Sequence, residues 1–66
     1  MNQLTNKELL YLEDTSKVFE TIVKNCEAAT NATSDPQLKT YLQSVAQDHK
    51  QWISATATII NNTKLQ

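Results

Sequence analysis

The chain has 66 residues, enough for one domain, and carries six basic against seven acidic residues for a net charge of −1. A chain this short buries only about 60% of its unfolded surface, and natural proteins of this size add disulfides, a metal or oligomerisation. One cysteine and one histidine supply neither an internal disulfide nor a zinc set, so oligomerisation is the expected stabiliser.

Charge and composition narrow the partners further. Every basic residue is a lysine, so the planar fork that reads phosphate or guanine is missing, and no basic stripe marks a nucleic-acid surface. The absence of glycine removes the phosphate-cradling loops of nucleotide-binding proteins. No apolar run approaches the roughly 18 residues of a membrane span, and no targeting segment is visible, so cytoplasmic synthesis is expected with neither membrane nor nucleic acid as partner. The sequons at Asn31 and Asn61 then read as helix-end polarity.

The first helix is expected over about 5–31. Thr5 and Glu8 form a capping box, with Leu4 placed to staple onto Leu9. Leu9, Leu12, Ser16, Phe19, Val23 and Cys26 then recur at alternating steps of three and four, one seam along a helix. Tyr11, Val18, Ile22 and Ala29 form a second stripe beside it, giving a face wide enough for more than one neighbouring helix.

A turn is expected over about 31–35, where Asn31, Thr33, Ser34 and Asp35 compete for the backbone and Pro36 cannot continue the preceding helix. Two N-caps are open to the second helix: Asp35 with Pro36 in the first helical position, or a box of Ser34 with Gln37. That helix, over about 36–63, has a seam of Leu38, Leu42, Val45, His49, Trp52, Thr56 and Ile59, flanked by Tyr41, Ile53 and Ile60. A short loop between helices of similar length forces antiparallel packing. The expected fold is therefore all-α, a single antiparallel helical hairpin that dimerises into a four-helix bundle. The interface is expected to draw on Leu12, Phe19, Val23, Leu42, Val45, His49, Trp52 and Ile59. Glu13 with Lys17, Glu20 with Lys24 and Asp35 with Lys39 stand four apart, acid first, and lend the helices modest surface support.

Folding the hairpin about its loop puts His49 opposite Ser16 and Lys17, and Trp52 near Thr15, with Glu13 and Glu20 a turn to either side of Ser16. Carboxylates and histidines at the middle of four helices are the raw material of a di-metal site. Those sites use Glu-x-x-His, however, and Ala46 stands three residues before His49. Adjacent residues point about 100° apart, so Asp48 does not replace it. His49 is accordingly read as a core histidine bonded to Ser16 or water, with metal binding through Glu20 or Glu13 as the sharper alternative. Cys26 reads as a small buried hydrophobe, with a disulfide between copies as its alternative. No nucleophile, base and orienting acid assemble, so neither catalysis nor a cofactor is expected.

The segments Asp35-Pro36-Gln37-Leu38-Lys39 and Val45-Ala46-Gln47-Asp48-His49-Lys50-Gln51 resemble the second helix of spore coat F-type proteins, a ferritin-like family. The opening Leu-Thr-x-Lys-Glu-Leu-Leu, residues 4–10 here, resembles their first helix. The resemblance implies that Asp48 and His49 match the family's acid-His pair and that the chain is a half-length version of a ferritin-like bundle. It lacks the full Glu-x-x-His signature. What it implies is a non-enzymatic structural protein of the spore coat that pairs with itself and contacts other coat or assembly proteins. Two alternatives stand beside it: a bundle binding two iron or manganese ions, and a small regulatory hairpin offering its groove to an amphipathic helix.

Overall fold

The computed structural model describes residues 4–64 and consists of two helices in a hairpin, α1 (Asn6–Ala32) and α2 (Pro36–Lys64). Local chemistry accounts for each boundary. At the start of α1 the Thr5 hydroxyl accepts from the Glu8 N–H at 3.1 Å while the Glu8 carboxylate accepts from the Thr5 N–H at 2.9 Å. The reciprocal box satisfies two backbone donors that a bare helix end leaves open. Leu4 and Leu9, placed to staple across it, are both half-buried.

The turn is three residues, 33–35, built without glycine. Thr33 ends α1 in extended conformation (φ −89°, ψ 148°), its N–H donating to the Ala29 carbonyl at 3.0 Å. Its hydroxyl accepts from the Asp35 N–H at 3.2 Å. No described residue has a positive φ, so no position needs the left-handed freedom of glycine. Of the two possible caps for α2 the structure selects Asp35, whose carboxylate accepts from the N–H groups of Gln37 (2.9 Å) and Leu38 (3.2 Å). Pro36, with its fixed φ and missing donor, takes the first helical position.

Between the helices lies a narrow seam. Its buried apolar residues are Val23 and Cys26 on α1 and Ala46 on α2, flanked by half-buried Ile22, Leu42, Val45 and Ile53. Thr56 is also buried, and its hydroxyl donates to the Trp52 carbonyl at 2.9 Å, so the polar atom enters the seam already satisfied. Other threonines return the same bond one turn back, among them Thr30 to Cys26 and Thr40 to Pro36.

The seam of α2 differs from the expected one at two residues. Leu38 and Trp52, expected to face inward, stand 43% and 49% exposed, while Ala46 is buried and Ile53 is half-buried against the core. Two rows with the same seven-residue repeat compete for the inward face: 38, 45, 52, 59 and 39, 46, 53, 60. The second supplies buried Ala46 and half-buried Ile53, which lets the backbones approach at the level of Val23 and Cys26, while the first keeps Val45 against the core and turns Leu38 and Trp52 outward. Bulk favours the first row, but packing favours the small residue.

Replacing Asp35 with Ala removes two cap bonds where α2 starts. The expected loss is about 1 to 2 kcal/mol in denaturant unfolding, whereas Ser34→Ala, at the rejected cap, is expected to change stability by less than about 0.5 kcal/mol.

Candidate functional site

At mid-length the seam holds an aromatic cluster. Phe19 of α1 meets His49 edge-on with ring centroids 5.7 Å apart and Trp52 at 5.5 Å, and His49 and Trp52 lie 4.4 Å apart on neighbouring turns of α2. His49 Nδ1 sits 2.7 Å from the Val45 carbonyl oxygen. A carbonyl only accepts, so Nδ1 carries the proton, and in the neutral ring Nε2 keeps its lone pair.

The expected Ser16 partner of His49 is thus replaced by a backbone carbonyl of its own helix. With the turn at 33–35, facing residues sum to about 68–71 rather than 66, which brings Phe19, not Ser16, against His49 and Trp52. The layer expected to join His49 with Ser16, Lys17 and Thr15 is an aromatic one. Among the described residues no three of His, Cys, Asp and Glu converge as a metal ion would need. Glu13 and Glu20 are exposed on the flank of α1 that continues to Glu27, whereas the His49 ring leans to the other flank with Phe19 and Trp52. Cys26 is a buried free thiol, so a disulfide between copies would have to open the seam.

The two sides of the hairpin differ in chemistry. On one side a groove of about 510 Å³ runs between Glu27, Thr30 and Asn31 of α1 and Gln43, Gln47 and Lys50 of α2. Lys50 Nζ bridges it to Glu27 Oε2 at 3.2 Å, the ion pair found among the described residues. None of the three expected pairs within a helix closes to that distance. Both partners of the observed pair are about half exposed, so water screens most of its attraction and it is worth about 0 to 1 kcal/mol. On the other side, at the open end, a groove of about 260 Å³ is lined by Leu4, Glu8, Tyr11, Leu12 and Ile59 and is almost wholly apolar.

Of the residues expected at an interface between copies, Val23 is buried inside the hairpin itself. Leu12, Phe19, Leu42, Val45, His49 and Ile59 are half-buried, and Trp52 is half exposed. Tyr11, Val18, Leu38 and Tyr41 lie outside that set, yet they are more exposed than most of it, at 59%, 57%, 43% and 65%. Their signal is present in the sequence as spacing: Tyr11 and Val18 stand seven apart, as do Leu38, Val45, Trp52 and Ile59. No helix among the described residues is long and apolar enough to cross a membrane. No protein-family model, curated protein or solved structure matches the chain.

Phe19 is the residue of α1 that ties the cluster together. A double-mutant cycle of Phe19→Leu and Trp52→Leu is expected to give a coupling of about 0.5 to 1.5 kcal/mol, the range for paired aromatic rings. Glu27→Gln is expected to shift stability by less than about 0.5 kcal/mol, and less again at high salt.

Proposed function

We propose that this chain is a non-enzymatic assembly module, a helical hairpin that completes its fold by pairing with a second copy in a four-helix bundle. Its outer faces, rich in Asn, Gln and Thr, are left for other components. The resemblance to spore coat F-type proteins suggests the spore coat as the setting, with other coat proteins as the components contacted.

The observation that carries this reading is the poverty of the hairpin's own core. Among the described residues no side chain is fully buried, and the buried apolar residues are Val, Cys and Ala. The exposed surface is 5,039 Å², against about 4,200 Å² for a compact monomer of 7.5 kDa. The excess of about 800 Å² is the area that each partner contributes to a standard stable interface. The hairpin is also elongated, with a radius of gyration of 15.0 Å against about 11 Å for a compact 66-residue chain. A chain that cannot offset the entropy of ordering within its own fold must do so in an assembly.

If folding and pairing are one event, stability rises with concentration by about 1.4 kcal/mol per tenfold. Unfolding midpoints measured over a hundredfold dilution are expected to fall accordingly, with the mass by light scattering moving from dimer to monomer. A midpoint independent of concentration would overturn the reading. Trp52→Ala is expected to cost about 3 to 5 kcal/mol of dimer stability, because a side chain half exposed in one hairpin becomes covered in the pair.

A further inference from the structure

We infer that a second copy of this chain docks on one particular side of the hairpin, the side carrying Tyr11, Val18 and Ile22 of α1 and Tyr41, Val45 and Trp52 of α2. This rests on the self-association reading above and names the surface that performs it.

Among the described residues the exposed large hydrophobics are Leu10, Tyr11, Val18, Leu38, Tyr41 and Trp52. At 100° per residue, Tyr11 and Val18 lie about 130° round α1 from its inward seam, in the direction of Ile22 and Ala29. On α2, Leu38, Val45 and Trp52 form one row about 70° from the seam, and Tyr41 stands in the next row out. Two contacts put these flanks on the same side of the hairpin. The Phe19–Trp52 ring contact draws the α2 row toward α1. The apolar groove joins Tyr11 and Leu12 to Ile59, the next member of the Trp52 row. Leu10 alone stands toward the polar side, beyond Glu13 and Lys17.

Charge sorts the same way. Glu13, Lys17, Glu20, Lys24, Glu27 and Lys50 belong to the polar side, where the Glu27–Lys50 bridge and the polar groove lie. On the apolar side, Glu8 stands at the open end with its carboxylate turned back to the Thr5 N–H, and Asp48 lies in the outer row with Tyr41. Asp48 lies at mid-length, so a second copy covers this side with the Asp48 carboxylate left at the rim, in water.

Size identifies the occupant. The hairpin measures 48 × 15 × 12 Å, so its broad side has an outline of about 700 Å², close to the roughly 800 Å² per partner of a stable pair. A single added helix, about 10 to 12 Å across with its side chains, would leave part of that width open. A second hairpin, with the same length and the same apolar side, covers all of it and forms four helices around one core.

Val18 and Leu10 are equally exposed, at 57% each, and lie about 80° apart on the outer face of α1, Val18 toward the apolar side and Leu10 toward the polar one, so they make a matched pair. Val18→Glu is expected to raise the dimer dissociation constant by about 100-fold or more, and Leu10→Glu to leave it within about threefold, both read by sedimentation over a concentration series. Trp52 is the one tryptophan, so the unaltered chain gives a second measurement that does not depend on a variant folding. Its emission is expected to shift to the red on dilution, together with the fall in mass and before helicity is lost or in step with it. If the chain is a monomer at every concentration, this inference and the self-association reading fall together, including the case in which only an added amphipathic peptide shifts the Trp52 emission. If it is a dimer that Leu10→Glu breaks and Val18→Glu does not, or one whose dissociation leaves the Trp52 emission unmoved, the surface is wrong and self-association stands.

Discussion

Two helices share one line of contact, and that geometric limit governs this molecule. Each helix can turn only a narrow strip toward its neighbour, so a hairpin alone leaves half or more of a wide apolar face uncovered. Here the strip is narrow enough that the side chains most withdrawn from water are Val23, Cys26, Ala46 and Thr56, all small. Large residues such as Phe19, Leu42 and Ile53 reach the seam but remain partly in solvent. Close approach of the backbones and burial of bulky side chains are competing demands between two helices. Ala46 resolves them in favour of close approach.

The rest of the arrangement depends on that choice. Once Ala46 and Ile53 face inward, Leu38 and Trp52 are turned to the flank while Val45 still packs against the core, and the aromatic cluster forms at the edge of the seam rather than at its centre. His49 lies between the rings with its Nδ1 proton committed to the Val45 carbonyl. That bond spares it a partner on α1, so the half-buried imidazole does not draw in a carboxylate. Glu13, Glu20 and Glu27 line the other flank, where Glu27 reaches Lys50 across the hairpin. One side of the molecule is thereby polar and the other apolar, although neither helix taken alone is strongly one-sided.

Local chemistry was legible residue by residue. The Thr5–Glu8 box, Pro36 at the first position of α2 and the glycine-free break are short-range features, set by bonds between residues two to four apart, and the structure carries each of them. The candidate site was legible only in its membership. His49, Phe19 and Trp52 were each marked by their place on a seam, but which would touch depended on where the turn was centred. A shift of about one residue there moves the facing register by two or more.

The sequence by itself determined two helices, the cap of the first and their antiparallel order, because each rests on backbone bonds and side-chain periodicity within a few residues, while the cap of α2 stayed open between Asp35 and Ser34. Only the tertiary structure decided which of two adjacent seven-residue rows of α2 turns inward, that His49 bonds its own helix rather than Ser16, and that the ion pair runs between helices. These outcomes depend on how closely two backbones approach. That distance is set jointly by residues far apart in the chain, chiefly Val23, Cys26 and Ala46, and no window along one helix contains it.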